Sequence, residues 1–133
     1  MERAEQSHSG EIRVAIETAL TVQQLRHGLT PRARALQVFA ALGVWDTTDN
    51  NGVLIYVLLA DRAIEIVADR AIAALVPQAD WLALCQGVQG HFRSGDLTNA
   101  CCEMVRGVGR ELGRHFPARA GHGNELPNQP VLL

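Results

Sequence analysis

The sequence predicts a three-layer α/β/α sandwich around a small mixed β-sheet, and three observations carry that prediction. Residues 11–17 alternate, with Ile12, Val14 and Ile16 on one side and Arg13, Ala15 and Glu17 on the other, which is the period of a strand lying half exposed or near an edge. Residues 53–59, Val-Leu-Ile-Tyr-Val-Leu-Leu, run apolar without interruption, as a central strand covered on both faces does. Between the two lies a helical pattern, so strand, helix and strand make a β-α-β unit whose strands are parallel. A third strand over 63–69 returns antiparallel, and the helices after it supply the second outer layer.

The elements follow in order. Residues 2–8 read as the last turns of a short helix that Ser9-Gly10 ends. Residues 18–29 read as a turn of helix and a loop. Thr30-Pro31 starts the crossover helix, because Thr can cap the orphan N–H groups and Pro at the first helical position forfeits no bond. Ala35, Leu36, Phe39 and Leu42 would form its buried face, and Gly43 would end it. Asp61-Arg62 is a tight turn between the second and third strands. Asp69 to Leu75 begins a short helix broken near Pro77, and Asp80 would cap the next one, with Trp81, Leu84, Cys85, Val88 and Phe92 as its stripe. Asp96 would cap a last, long helix with Leu97, Cys101, Met104, Val105, Val108, Leu112 and Phe116 inward. Gly107, Gly109 and Gly113 in its interior suggest close approach to the sheet. Residues 1–116 are thus one domain, and 117–133 an extended tail packing through Leu126 and Val131 to Leu133.

Composition narrows the function. The chain has 133 residues, 47% hydrophobic and 20% charged, enough for one folded core without disulfides or metal. Its formal net charge is −2, so no basic field exists to hold a nucleic-acid backbone. Cys85, Cys101 and Cys102 lack zinc spacing and cannot all pair with one another; reduced thiols point to the cytoplasm. Residues 1–10 lack the apolar stretch of a signal peptide. The longest apolar run, Val53 to Ala60, is far short of the roughly 20 residues a spanning helix needs. Direct membrane insertion is therefore not expected. Phosphate-binding glycine motifs and the Gly-x-Ser-x-Gly nucleophile elbow are absent. Trp45 is expected to anchor the following loop against the core.

Chain direction places the polar residues. Parallel strands begin at a common rim, and an antiparallel neighbour finishes there. Ser7, His8 and Ser9, the loop 46–52 (Asp-Thr-Thr-Asp-Asn-Asn-Gly) and Asp69-Arg70 should meet at that rim. Asp46, Asp49, Asn50, Asn51 and Asp69 would then supply carboxylate and amide oxygens, the ligands that Ca²⁺ and Mg²⁺ take. On spacing alone a structural turn is the favoured reading of the loop over a metal site, since Asp, Asn and Gly bond their own backbone, and it lacks the EF-hand pattern. Arg70 is either a phosphate clamp or an ion-pair partner of Asp69 or Asp46.

Several segments together resemble the TPM domain family, thylakoid-lumen phosphatase-like modules that also occur in bacterial, often membrane-anchored proteins. The matching pieces are Gly10-Glu11-Ile12-Arg13-Val14, Ala40-Ala41-Leu42-Gly43-Val44-Trp45, Asn51-Gly52-Val53-Leu54-Ile55-Tyr56, Arg62 through Arg70, and Phe92-Arg93-Ser94-Gly95-Asp96. They span the chain from Gly10 to near Phe116. The resemblance implies an α/β/α sandwich, divalent-cation binding and acid phosphatase activity. By position it puts the metal ligands on Asp46, Asp49, Asn50, Asn51 and Asp69. In a phosphomonoesterase the catalytic residues would be Asp49 and Asp69, holding the cation, and Arg70, clamping the phosphate. Where many members carry a glycine-rich segment after the hairpin, this chain has Ala68-Asp69-Arg70-Ala71. The expected function is a cation-binding module, favoured over a metal-dependent phosphomonoesterase; the alternative is a non-catalytic protein-interaction or structural module. The partner class this leaves is a protein, membrane-associated or not, and the sequence is silent on oligomeric state.

Overall fold

The structure, a computed structural model, describes residues 11–46, 51–115 and 130–133. Its strands are β1 (Glu11–Glu17), β2 (Gly52–Leu58), β3 (Ala63–Ala68) and β4 (Val131–Leu132). Its helices are α1 (Val22–Arg26), α2 (Pro31–Ala41), α3 (Arg70–Ala73), α4 (Gln78–Arg93) and α5 (Leu97–His115). The strands form one mixed sheet in the order β3-β2-β1-β4. β1 pairs parallel with β2 from Glu11↔Gly52 to Glu17↔Leu58, and β3 returns antiparallel from Leu58↔Ala63 to Val53↔Ala68. The expected helix over residues 2–8 lies outside the described residues.

Helices cover both faces, which makes the sandwich. On one face Ile12, Val14, Val53, Ile55, Ile64 and Ile66 pack against Ile72 of α3, Trp81 and Phe92 of α4, and Met104, Val108 and Leu112 of α5. On the other, Ala15, Leu54, Tyr56, Leu58 and Val67 pack against Ala35 and Val38 of α2 together with Leu20 and Val44. Every residue of β2 is buried, as its unbroken apolar run requires. Thr30 caps α2, its side chain accepting from the Ala33 amide at 3.1 Å, with Pro31 in the first turn.

β1 lies next to an edge, as its pattern suggested: the two-residue β4 is the edge strand and pairs with it at Ala15↔Val131 and Ile16↔Leu132. Three expectations are corrected. Leu36 is exposed, because the inward phase of α2 passes through Ala35 and Val38. Pro77, not Asp80, precedes α4, and Asp80 sits in its first turn, where a carboxylate suits the helix dipole. Gly107 makes room for Leu84 of α4 rather than for the sheet: a Cβ there would meet the Leu84 side chain.

The edge strand β3 is protected. Arg32 Nη1 donates to the Ile66 carbonyl oxygen and pairs with Glu65 at 3.7 Å, so a long side chain from α2 occupies backbone that would otherwise lie open.

Candidate functional site

The rim where β1 and β2 begin and β3 ends draws three separate segments together by main-chain bonds. The Glu11 amide donates to the Asn51 carbonyl oxygen at 3.3 Å, and the Asp69 amide to that of Gly52 at 2.9 Å. Asn51 and Asp69, distant in sequence, therefore share this rim.

Strand register refines the picture. Glu11 stands opposite Gly52, and Asp69, one step past the Val53↔Ala68 pair and still extended (φ −70°, ψ 171°), stands opposite Gly52 on the other side. Alternation puts all three on the face of Ala15, Leu54 and Val67, the face that α2 covers. Gly52 has no side chain, so the row reads carboxylate, gap, carboxylate. The gap is filled by main chain: a Cβ built on Gly52 would overlap the carbonyl oxygen of Val44. Two carboxylates thus flank a main-chain carbonyl, with neighbouring strands about 4.8 Å apart.

This row is withdrawn from water. Glu11 is 1% exposed, Asn51 0% and Asp69 8%. Asp69 Oδ1 accepts from the Arg70 amide at 2.8 Å and so caps α3. Its second oxygen, Oδ2, is buried and has no hydrogen-bond partner among the described residues. A buried carboxylate oxygen left in that state is costly unless a charge or donor meets it. Arg13, two residues beyond Glu11 on the same strand face, is half-buried, and burial lowers the pKa of its guanidinium.

The other expected site residues divide. Asp46 follows Val44 by two positions, at the same rim, and is exposed; its amide donates to Gly43 O at 2.9 Å. Arg70 is exposed beside Asp69 and, among the described residues, forms no ion pair with Asp69 or Asp46. Asp49 and Asn50, with Ser7, His8 and Ser9, lie outside the described residues. Among the described residues no three His, Cys, Asp or Glu side chains stand together as a metal cage. Any cation here would draw on carbonyl and amide oxygens as well as the Glu11 and Asp69 carboxylates, a mixture that suits Ca²⁺.

Sequence reasoning missed Glu11 and the Val44 carbonyl. The signal for Glu11 was present: it shares the parity of Arg13 and Ala15 in a strand whose partner begins with glycine. Trp45 also departs from expectation. The residue is 54% exposed, and its Nε1 donates to Ala40 O at 3.2 Å.

A second polar cluster occupies the opposite rim. Arg34 grips Glu17 with Nε on Oε1 at 2.8 Å and Nη2 on Oε2 at 3.1 Å, while the Tyr56 hydroxyl donates to Glu17 Oε1 at 2.6 Å. The Arg34 hydrogen bonds hold the Glu17 carboxyl below its usual range, against the opposing effect of burial and with help from Tyr56. Burial, then the Glu17 contact, pushes the Tyr56 phenol well up. Each member satisfies the others, so this cluster locks β1, β2 and α2 together rather than offering a reactive group. Burial and the nearby Glu65 carboxylate push the Cys85 thiol up to about 11, which makes it inert as a nucleophile.

Comparison with known proteins supports the same fold. The family model described as TPM domain matches residues 1–111. The NMR structure of BA42 protein from the psychrophilic bacterium Bizionia argentinensis superposes with a TM-score of 0.83 at 30% identity, over 99% of this chain and 86% of that one. No curated protein matches the chain. No helix among the described residues is long and apolar enough to cross a membrane.

Proposed function

Because the chain belongs to the TPM domain family, we propose that it binds a divalent cation, Ca²⁺ or Mg²⁺, at the rim built by Glu11, Val44, Asn51 and Asp69, and that phosphomonoester hydrolysis is the chemistry of this site. The observation that carries the reading is the row of Glu11, Gly52 and Asp69 closed by the Val44 carbonyl, with a buried Asp69 oxygen that lacks a partner among the described residues. The donor chemistry fits a hard cation, which prefers carboxylate and carbonyl oxygens. Asp46 and the loop residues Asp49 and Asn50 complete the ligand set in this proposal.

The residues of the chain divide the work. Glu11 and Asp69 hold negative charge away from water, where it attracts a cation more strongly than at the surface. Gly52 keeps the Val44 carbonyl between them. Arg70, exposed beside Asp69, receives a phosphate oxygen. A divalent cation bound there would polarise a phosphoryl oxygen and lower the pKa of a coordinated water. Without it, the carboxylates would repel an anionic ester. The unpaired thiols of Cys85, Cys101 and Cys102 suit a reducing compartment, so our reading is cytoplasmic.

Hydrolysis of p-nitrophenyl phosphate by wild type and Asp69→Asn, with Ca²⁺ or Mg²⁺ and then with EDTA, tests the reading. We expect turnover that requires the metal and is lost in the variant. Equal rates in both proteins would remove Asp69 from the site. Calcium binding with no turnover would leave a cation-dependent interaction module.

A further inference from the structure

We propose that Asp69 couples the cation site to α3: while its carboxylate charge is unmatched the cap of α3 is loose, and neutralising that charge, by a cation or by substitution, locks α3 together with Arg70 at its start. This deepens the reading above, as a regulation of the same site, and rests on it. Asp69 is stitched to the sheet on one side and to α3 on the other. Its amide donates to the Gly52 carbonyl oxygen at 2.9 Å, and its own carbonyl oxygen accepts from the amides of Ile72 at 3.1 Å and Ala73 at 2.8 Å. Its side-chain Oδ1 accepts from the Arg70 amide at 2.8 Å, while the buried Oδ2 has no hydrogen-bond partner among the described residues.

The two oxygens belong to one rigid group, so whatever moves Oδ2 also moves Oδ1 and ends the cap. A charge held away from water without a counter-charge costs more than one helix cap returns. The unmatched carboxylate therefore swings toward water and gives up the Arg70 amide. A cation on Oδ2 removes the reason to swing. Little else keeps the first turn of α3. The helix has four residues, too few to stand by itself, and is held by Ile72 and the following Val76 in the core, while Ala73, Ala74 and Leu75 face water. Such a turn opens without the sheet opening. Arg70, the phosphate-receiving residue of the reading above, begins that turn, so the cation sets it in place before the anion arrives.

The test follows hydrogen exchange of single amides by NMR in the full chain, in EDTA and in millimolar Ca²⁺, with Asp69→Asn and Asp69→Ala beside wild type. The reporters are the amides of Arg70 and Ala73, and the reference is Ala33, whose amide donates to the Thr30 cap of α2. Calcium should slow exchange at Arg70 and Ala73 about tenfold more than at Ala33. Asp69→Asn, which keeps a capping oxygen without the charge, should show the slow exchange already in EDTA, with no further change in calcium. Asp69→Ala should exchange fast in both. Equal slowing at all three amides of wild type, while calcium raises the melting midpoint, would overturn the proposal and leave the cation reading standing. So would Asp69→Asn exchanging as fast as wild type in EDTA while calcium raises the wild-type midpoint. If calcium changes nothing in wild type yet Asp69→Asn exchanges slowly, the coupling stands and the cation reading falls. If calcium changes nothing and Asp69→Asn exchanges as fast as wild type, both fall.

Discussion

The Asp69 amide donates to the Gly52 carbonyl oxygen at 2.9 Å, which joins the end of β3 to the start of β2 and stands Asp69 beside the one position in the row that has no side chain. Asp69 serves twice, as the cap of α3 through Oδ1 and as a buried charge through Oδ2. The two roles separate by substitution. Asp69→Asn retains a capping oxygen, so its melting midpoint in EDTA should correspond to wild-type stability within about 1 kcal/mol. Its response to calcium should be gone. Asp69→Ala should lose the response and also about 1 kcal/mol of metal-free stability. Chemical denaturation with and without calcium reads both.

Two glycines make a matched pair. At Gly52 a Cβ would strike main chain, the Val44 carbonyl, which cannot turn aside. Gly52→Ala should cost about 1–3 kcal/mol as an overpacked site does, and should weaken calcium binding by displacing that oxygen. At Gly107 the Cβ would meet the end of the Leu84 side chain, which can change rotamer. The helix also gains about 1 kcal/mol when alanine replaces an interior glycine. Gly107→Ala should therefore stay within about 1 kcal/mol of wild type in urea titrations, with calcium binding intact.

The far rim predicts a pH dependence of both signs. Glu17 is more acidic folded than unfolded, through its Arg34 hydrogen bonds. Its contribution is complete above the unfolded value, about 4.3, and fades as the pH falls through the lower folded value. Wild type should thus lose more stability than Glu17→Gln between about pH 5 and pH 3. Tyr56 is the reverse case: its phenol is harder to ionise when folded. Its contribution is complete below about pH 10 and declines as the pH climbs further, a decline that Tyr56→Phe should flatten. At neutral pH, Tyr56→Phe should cost about 0.5–1.5 kcal/mol or somewhat more, because the lost hydrogen bond ends on a charged group. Urea denaturation across the pH range measures all three.

Much of the fold was legible because a few segments state their environment locally. The continuous apolar run of β2, short and rich in β-branched residues, reads as a strand covered on both faces, and Thr30-Pro31 reads as a helix start. The meeting of Asn51 and Asp69 followed from strand direction alone. What escaped needed contacts that no local pattern carries. β4 has two residues, Val131–Leu132, in a Pro- and Asn-rich stretch, and Leu132 is 80% exposed, so it presents no periodic signal. Glu11, at the head of β1, had no role assigned to it from the sequence, because only register sets it against Gly52. Trp45 read as core because large aromatics usually are, and its Ala40 contact is a single hydrogen bond five residues back.

The most direct measurement is a thermal melt of the full chain in EDTA, in millimolar Ca²⁺ and in millimolar Mg²⁺, for wild type beside Asp69→Asn. A ligand that binds only the folded state stabilises it by RT ln(1 + [L]/Kd), about 2.7 kcal/mol at one hundred times Kd. The account predicts a clear rise in the wild-type midpoint with at least one of the two cations, and none in the variant. An unchanged wild-type midpoint with both metals, or the same rise in Asp69→Asn, would contradict it.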